Sequence, residues 1–279
     1  MYNLSFIKMH GLGNDFVVID DRDGAIALEV DEVRAMANRR TGVGFDQLLI
    51  LEKPTTHKAD VFMRICNPDG SEAQACGNGT RCVASLMMDE LDRDKVIVET
   101  VAGLLASSRH GDGRITVDMG KPRLSWSDIP LSHEVDTLHM GIGLDGIVDP
   151  VGINIGNPHA VFFVEDVSVV DLEHIGPKLE QDDLFPEFAN IEIVQVIGHD
   201  KVRMRVWERA TGITKACGSG ACAVAVAAYR RGLTGRSIEV ILDGGSIEIM
   251  WREDGHVLMT GPVTASFEGV LDSALLGRT

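Results

Sequence analysis

A short glycine-rich motif built around a cysteine occurs twice in this chain, once in each half. The two copies are Ala75-Cys76-Gly77-Asn78-Gly79 and Ala216-Cys217-Gly218-Ser219-Gly220. A second, weaker match pairs Gly13-Asn14 with Gly156-Asn157, in the same order along the chain. Two matches in one order indicate a duplication, which predicts two halves of similar fold.

Both cysteine motifs stand where a glycine-rich turn leads into a helix. Apolar residues follow at helical spacing, namely Val83, Leu86, Met87 and Leu91 in the first half and Ala221, Val224, Ala225, Ala228 and Tyr229 in the second. The second helix is predicted to end at Arg230-Arg231-Gly232, because cations and a glycine are common at helix C-termini. Another helix is predicted from Asp31, as its N-cap, to about Arg40.

The rest of the chain is rich in strand patterns separated by turn signals. Alternation predicts strands over residues 191–196 and 202–207, and clusters of Asn, Asp, Pro and Gly predict reversals at 67–70, 243–245 and 254–255. With the duplication, these patterns predict an α+β protein of two pseudo-symmetric halves, each a curved, mostly antiparallel sheet packed on a helix. The stretch from Pro122 to Pro130 is the predicted crossing point between them.

Composition restricts the classes of partner. The 279 residues are 44% hydrophobic and 24% charged, as in a globular protein with a substantial core. The formal net charge of -16 repels nucleic-acid phosphates and anionic membranes, so we expect neither as a partner. No apolar run approaches the ~18 residues of a membrane helix, and no signal-peptide pattern is evident, so we expect a cytoplasmic protein whose cysteines are thiols.

The position of the two motifs at helix starts predicts their chemistry. Unpaired N–H groups and the helix dipole favour anions there, so we expect Cys76 and Cys217 to form thiolates near neutral pH. The same N–H groups can hold a carboxylate, which the glycines allow to approach the backbone. If a pseudo-twofold axis relates the halves, both motifs face one cleft with a thiol on each side of the ligand. Such a pair can remove a proton from one face of a carbon and return one to the other, as racemisation requires.

Other uses of the cysteines fit the sequence less well. Cys66, Cys82 and Cys222 fall on predicted strand or helix faces, where core packing is the better interpretation. The spacings contain no CxxC pair and no clustered histidine, which disfavours a zinc or dithiol redox site. Because the helix starts can stabilise the developing charge, the predicted reaction does not require an electron-sink cofactor. The lack of an evident phosphate-binding or dinucleotide-binding glycine motif is consistent with this prediction, although a lysine that binds pyridoxal phosphate has no reliable short signature.

Seven segments together resemble a known family over nearly the whole chain: residues 10–16, 46–47, 67–70, 75–82, 156–159, 207–209 and 216–223. The family is diaminopimelate epimerase, and the two ACGxG motifs in this order are the most specific part of the resemblance. It implies interconversion of LL- and meso-diaminopimelate in lysine and peptidoglycan precursor biosynthesis, without pyridoxal phosphate or metal, by a cytoplasmic homodimer. It also implies barrel-like sheets, and a C-terminal strand that returns to the first half, so that the domains are 1–120 with 265–279 and 121–264.

The resemblance also implies roles for individual residues. Cys76 and Cys217 are the expected catalytic bases, one as thiolate and one as thiol. Residues expected to hold the reacting carboxylate are Gly77, Asn78, Gly218 and Ser219. Residues expected to hold the other end of the substrate are Asn14, Asn67, Asn157, Asn190 and Arg209. Gln47 is expected to line the same pocket, and His159 and Glu208 to contact the reacting ammonium or to bias cysteine protonation, whereas Arg81 is expected to be structural.

The chain departs from the family pattern after Arg209 and at Thr80, and one rival function stays open. The family pattern continues after Arg209 with a glycine and then Gly-Glu-Thr, whereas this chain has Ala210-Thr211-Gly212-Ile213-Thr214, and Thr80 stands where alanine is common. The resemblance therefore does not predict the shape of the loop that enters the second helix. The rival is a proline or hydroxyproline racemase or epimerase of the same fold. A substrate with one carboxylate would not need the asparagines and Arg209. A relative without the cysteine pair is disfavoured, because both cysteines are present.

Overall fold

The computed structural model describes residues 4–74, 76–272 and 274–276. The chain forms two compact units, one of Met1–Val117 with Gly261–Thr279 and one of Asp118–Thr260. Ala75, the first residue of the first cysteine motif, is outside the described residues. In the described part of the chain, no helix has both the length and the apolar character needed to cross a membrane.

The first unit combines strands from both ends of the chain with two helices, numbered here along the whole chain. Its strands are β1 (Leu4–Gly11), β2 (Asn14–Asp20), β3 (Gln47–Glu52), β4 (Val61–Cys66), β5 (Glu72–Ala73), β6 (Lys95–Thr100), β7 (Gly103–Arg109), β8 (Ile115–Asp118) and β19 (Thr264–Leu271). Its helices are α1 (Val30–Ala37) and α2 (Gly77–Glu90).

The sheet of the first unit is mostly antiparallel with two parallel pairs. β1 lies between β19 and β2, antiparallel to both, so the C-terminal strand returns to the first unit. β2 pairs parallel with β3 through α1, and β4 pairs parallel with β6 through α2. The pairs β3–β4, β6–β7 and β7–β8 are antiparallel. Both helices therefore serve as the crossovers that parallel pairs require.

The second unit repeats this arrangement. Its strands are β9 (Gly143–Leu144), β10 (Ile147–Val148), β11 (Val151–Asn154), β12 (Pro158–Phe163), β13 (Asn190–Gly198), β14 (Lys201–Glu208), β15 (Gly212–Ile213), β16 (Ser237–Leu242), β17 (Gly245–Trp251) and β18 (Val257–Gly261). Its helices are α3 (Leu172–Glu180) and α4 (Gly218–Arg230), with a 3-10 turn at Val167–Val169.

Strand pairing confirms that the two units share one topology. β12 and β13 are parallel through α3, as are β14 and β16 through α4. The pairs β11–β12, β13–β14, β16–β17 and β17–β18 are antiparallel. The short strand β15 pairs antiparallel with β14, as β5 does with β4. β9 and β10 form a separate hairpin. The two halves thus follow the same path of strands and helices, as the repeated motif predicts.

Each sheet curves around one central helix. α2 contacts β1, β2, β4, β6 and β7, and α4 contacts β11, β12, β13, β16 and β17. Residues 220–228 of α4 are all buried, as expected for a helix that is apolar on every side. The predicted α+β halves with a central helix are confirmed. The barrel-like form is not fully realised, because in the described residues the strands of neither unit close into a barrel.

Most local predictions are also confirmed. The strands expected at 191–196 and 202–207 lie within β13 and β14. The reversals at 67–70, 243–245 and 254–255 connect β4 to β5, β16 to β17 and β17 to β18. Gly232, which follows α4, has φ +70° as a glycine after a helix often does. Cys66, Cys82 and Cys222 are buried, as core packing predicts.

The first helix differs from the prediction at both ends. α1 begins at Val30 with Glu29 as its N-cap, because Glu29 and Glu32 form a capping box in which the Glu29 N–H donates to Glu32 Oε2 at 2.8 Å. It ends at Ala37 rather than near Arg40. The Met36 carbonyl accepts from the N–H of Gly44 at 2.9 Å, so the chain turns back over the last turn of the helix.

Candidate active site

Cys76 forms the N-cap of α2. Its Sγ accepts a hydrogen bond from the Gly79 N–H at 3.4 Å, and its carbonyl accepts from the Thr80 N–H at 2.8 Å. A Cβ at Gly79 would lie 3.1 Å from Leu49 Cδ1, so a glycine here lets the helix start pack closely on β3. Gly77 and Asn78 are the first two residues of the helix, where N–H groups have no partner within the helix.

Cys217 forms the N-cap of α4 in the same way. Its Sγ accepts from the Gly220 N–H at 3.4 Å and lies 3.6 Å from Ser219 Oγ. Only 5% of the residue is exposed. A Cβ at Gly220 would approach Glu192 Oε1 to 2.8 Å, which places a carboxyl group directly against this helix start. Gly218 and Ser219 open the helix, as Gly77 and Asn78 do in the first unit.

The expectation that the helix start makes Cys217 a thiolate near neutral pH is wrong for this environment. Burial raises the pKa of Cys217 well above that of a free thiol, and the nearby Glu208 and Glu192 raise it further. The hydrogen bonds from Ser219 and Gly220 lower the pKa but do not compensate. Desolvation of a buried anion therefore outweighs the helix-start effect.

Glu208 is a buried carboxyl group in contact with Cys217. Burial raises its pKa, and hydrogen bonds to the Thr214 hydroxyl and the Cys217 side chain oppose that rise. The Thr214 hydroxyl donates to Glu208 Oε1. Glu208 ends β14 and Thr214 stands just before α4, so their bond joins the end of a strand to the approach to the cysteine.

His159 lies at the centre of a chain of three polar side chains, of which His159 and Glu192 are fully buried and Asn157 is half-buried. Its Nε2 is 2.8 Å from Asn157 Oδ1, and its Nδ1 is 2.6 Å from Glu192 Oε1. Neither the His159 nor the Glu192 side chain is exposed. The three residues come from β11–β12 and β13, so the parallel strand pair of the second unit brings them together.

Both polar atoms of the Asn190 side-chain amide form hydrogen bonds with the backbone. Its Nδ2 donates to the Pro158 carbonyl at 2.9 Å, and its Oδ1 accepts from the Arg209 N–H at 3.0 Å. The Arg209 guanidinium donates to the Glu187 carbonyl at 2.9 Å. Asn190 thus holds Arg209 beside the start of β12.

A buried glutamate that the sequence analysis did not select anchors this region. Glu180, at the end of α3, accepts from Trp207 Nε1 at 2.6 Å through Oε2 and from the Ala210 N–H at 2.8 Å through Oε1. These two bonds flank Glu208 and Arg209. The α3 helix therefore fixes the segment that presents both residues.

We expect Ala210→Gly to raise the free energy of unfolding by about 0.5–1 kcal/mol. Ala210 has φ +61°, a left-handed conformation in which a Cβ is strained. The family resemblance implies a glycine at this position. Differential scanning calorimetry is the measurement, and Ala102→Gly is the matched control because Ala102 is exposed and is not among the positive-φ residues. The control should lose stability, and a loss in Ala210→Gly as well would contradict the prediction.

The candidate polar residues of the first unit form two linked pairs. Asn78 Nδ2 donates to Asn14 Oδ1 at 3.1 Å, and Asn14 Nδ2 donates to Asp46 Oδ2 at 2.9 Å. Gln47 Nε2 donates to Asn67 Oδ1 at 3.1 Å. The structure therefore brings Asn14 and Asn78 together beside the Cys76 helix start, and Gln47 and Asn67 together at the ends of β3 and β4.

A network of ion pairs adjoins Asn14 through Asp15, the next residue, and Asp46, which accepts from the Asn14 side chain. Burial raises the pKa of Asp15, but hydrogen bonds and charge from Arg39 and Lys8 outweigh it and lower that pKa to about 2. Asp46 accepts from the Asp15 N–H at 3.0 Å and from Arg39 at 2.7 Å. The loop with Asn14 is thus tied to the loop with Asp46.

Arg81 has the structural position that was expected of it. It is fully buried in α2, and a Cβ at Gly11 would lie 2.8 Å from its guanidinium. The close approach of Gly11 therefore makes room for the Arg81 side chain against β1.

The chemistry available at these sites is proton transfer and anion binding. Each unit offers a cysteine at a helix start together with the N–H groups of the first helical turn and amide side chains. Among the described residues, no group of three or more His, Cys, Asp or Glu side chains is arranged to hold a metal ion.

The fold is shared with solved structures of two functions. A hydroxyproline epimerase from Agrobacterium vitis aligns with a TM-score of 0.69 at 14% identity, covering 97% of this chain and 91% of that one. A phenazine biosynthesis protein from Bacillus anthracis aligns with a TM-score of 0.68 at 16% identity, covering 98% and 100%. The chain therefore has the two-domain fold of this class of epimerases and phenazine-pathway proteins.

Sequence comparison narrows the class to one family. The family profile described as diaminopimelate epimerase matches residues 6–125 and 151–266. A diaminopimelate epimerase of Rhodospirillum centenum is 56% identical over 271 residues, covering 97% of this chain and 93% of that protein. The chain belongs to the diaminopimelate epimerase family, and the predicted resemblance is confirmed.

Glu192 is the residue that sequence reasoning most clearly missed. The sequence pattern predicts only that it belongs to a strand over residues 191–196. The available signal was a charged residue inside a strand whose first five positions, from Asn190 to Val194, are all buried. A charge at such a position needs a partner, and His159 provides it.

Proposed function

We propose that the protein interconverts LL- and meso-diaminopimelate by proton transfer at one carbon, in lysine and peptidoglycan precursor biosynthesis, without a cofactor. The observation that carries the proposal is the pair of cysteines at equivalent helix N-caps, Cys76 on α2 and Cys217 on α4. Family membership supports the same substrate.

The proposed mechanism uses the two cysteines on opposite faces of the reacting carbon. One thiolate takes the α-proton, and the electron pair of the broken C–H bond moves onto the substrate carboxylate. The other cysteine then gives its S–H proton to the opposite face of the carbon. The substrate is inverted, and the two cysteines have exchanged protonation states.

The N-termini of α2 and α4 are proposed to stabilise the negative charge that develops on the substrate carboxylate. We assign the reacting carboxylate to the N–H groups of Gly77, Asn78, Gly218 and Ser219. N–H groups that are fixed before reaction stabilise an enolate-like transition state without reorganisation, which supports catalysis without an electron-sink cofactor.

The remaining candidate residues are proposed to recognise the rest of the substrate. Asn14, Asn67, Asn157, Asn190 and Arg209 are assigned to the non-reacting end, with Gln47 beside them. The planar guanidinium of Arg209 suits a carboxylate, because it can bind both oxygens. His159 and Glu208 are assigned to the reacting ammonium and to cysteine protonation.

The test is proton NMR in D2O of protein prepared free of metal and pyridoxal phosphate. With LL-diaminopimelate we expect the α-proton signal to disappear and the meso isomer to form. A parallel tube contains proline. Exchange only in the proline tube, surviving in Arg209→Ala, would favour the rival proline racemase. If folded, reduced protein exchanges the α-proton of neither substrate, the proposed function is contradicted.

We also propose that the protein is a cytoplasmic homodimer that binds neither nucleic acid nor membrane. The net charge of -16 supports the last two statements, because it repels polyanions. Sedimentation equilibrium measures the assembly state, and a monomer at micromolar concentration would contradict the dimer.

A further inference from the structure

The two units pair their strands in the same register, so positions in one unit have equivalents in the other. Phe16 faces Gln47 across the parallel β2–β3 pair, and His159 faces Asn190 across β12–β13. Phe16 is therefore equivalent to His159. Two residues further along the partner strands, Leu49 is equivalent to Glu192.

The register of the next strand pair, β3–β4 in the first unit and β13–β14 in the second, gives a further equivalence. Leu48 partners Cys66 across β3–β4, and Ile191 partners Trp207 across β13–β14. The residue after Cys66 is Asn67, and the residue after Trp207 is Glu208.

Around the two cysteines, equivalent positions thus carry different chemistry. The first unit has Phe16, Leu49 and Asn67, which do not titrate. The second unit has His159, Glu192 and Glu208, all of which do. The duplicated fold supports two similar helix starts, but these three equivalent positions are ionisable in the unit of Cys217 and not in the unit of Cys76.

Glu192 and Leu49 are equivalent in geometry as well as in strand register. A Cβ at Gly79 would meet Leu49 at 3.1 Å, and a Cβ at Gly220 would meet Glu192 Oε1 at 2.8 Å. Each side chain lies under the glycine three residues after the cysteine. Glu192 is completely buried, and its Oε2 has no hydrogen-bond partner among the described residues.

We propose that Glu192 is a positioning residue for Cys217, whose buried carboxyl group orients His159 and, under Gly220, holds this cysteine as the protonated partner of the pair. The proposal deepens the two-thiol function and rests on it. Two carboxyl groups of its unit act on Cys217, Glu192 from β13 and Glu208 from β14, and His159 from β12 contacts Glu192.

The electrostatics of the site agree with this geometry. After burial, the charges of Glu208 and Glu192 are the next causes that raise the pKa of Cys217. A negative charge close to a thiol disfavours the thiolate, because the two anions repel in a medium that screens them poorly. Leu49 exerts no such effect on Cys76.

The experiment compares the wild type with Glu192→Gln. Glutamine keeps the shape of the side chain and can donate to His159 Nδ1, but it removes the carboxyl charge. Initial rates of iodoacetamide alkylation are measured for Cys76 and Cys217 separately, by peptide mass spectrometry, between pH 6 and 10. We expect Cys217 to react about tenfold faster in the variant at a fixed pH below its midpoint, corresponding to a midpoint about one pH unit lower. The Cys76 profile should not move.

Two further variants keep the result interpretable. Glu192→Asp retains a carboxyl group and should restore much of the wild-type Cys217 midpoint, even if shortening reduces stability. Glu32→Gln makes the same chemical change at a buried glutamate of the first unit and should leave both profiles unchanged. An unchanged Cys217 midpoint in Glu192→Gln, or an equal shift in Glu192→Asp, would overturn the proposal.

Alkylation needs no substrate, so this result is separate from the proposed function. A shifted Cys217 profile in a protein that does not epimerise diaminopimelate would contradict only that function. An epimerase whose Cys217 profile does not depend on Glu192 would contradict only the positioning role.

Discussion

Replacing either Cys76 or Cys217 with alanine should abolish epimerisation, lowering kcat by at least about a thousandfold. Each thiol serves one face of the reacting carbon, so the remaining cysteine cannot complete an inversion. The measurement is formation of the meso isomer from LL-diaminopimelate, followed by NMR. The double variant should be no slower than either single variant, because residues that act as a unit are not additive.

Cys82→Ala provides the control for the cysteine variants. Cys82 lies in α2, six residues after Cys76, and burial raises its pKa to about 12, so it is a packing residue. Its replacement should preserve turnover at a small cost in stability. Turnover near the wild-type level in Cys76→Ala or Cys217→Ala would refute a mechanism with two bases.

Gly176→Ala should lower the free energy of unfolding by about 2–3 kcal/mol and reduce activity as well. A Cβ at Gly176 would lie 2.5–2.8 Å from the Trp207 ring, which is rigid and is bonded through Nε1 to Glu180. Relief of the clash must move α3 away from β14. Trp207 precedes Glu208, so the displacement reaches the proposed site.

Urea unfolding followed by tryptophan fluorescence is the measurement for Gly176→Ala. The chain has 3 tryptophans, Trp126, Trp207 and Trp251, and all of them lie in the second unit, so the signal reports that unit. Gly198→Ala is the control in the same unit, because the nearest heavy atom to a Cβ there is Asp200 Oδ1 at 3.6 Å, an ordinary van der Waals distance. Wild-type stability in Gly176→Ala would mean that the contact relaxes without cost.

The fold was predictable where a short pattern determines the structure. The repeated motif predicts two halves, and the glycine-rich turns before Gly77 and Gly218 predict the two central helices. Sequence patterns did not predict the ends of α1, because they depend on a capping box and on a distant carbonyl contact. The pairing of β19 with β1 came from the family resemblance, since periodicity carries no information about which distant strand pairs with which.

The positions of the two cysteines were predictable, but the electrostatics around them were less so. Both cysteines occupy the helix starts that the motif predicts. The sign of the pKa shift at Cys217 was wrong, because it depends on burial and on two carboxylates from β13 and β14. Glu192 and Glu180 were missed because their partners, His159 and Trp207, are remote in sequence.

The strand β19 has a consequence for synthesis on the ribosome. It follows every residue of the second unit along the chain, yet it covers one edge of β1 near the N-terminus. The second unit is contiguous, so all of its strands emerge before the first sheet can be completed. The nascent chain must therefore carry β1 with an open edge until translation of β19, and an open edge is prone to pairing with other chains. Ribosome-bound folding intermediates should accordingly have a folded second unit and an incomplete first one.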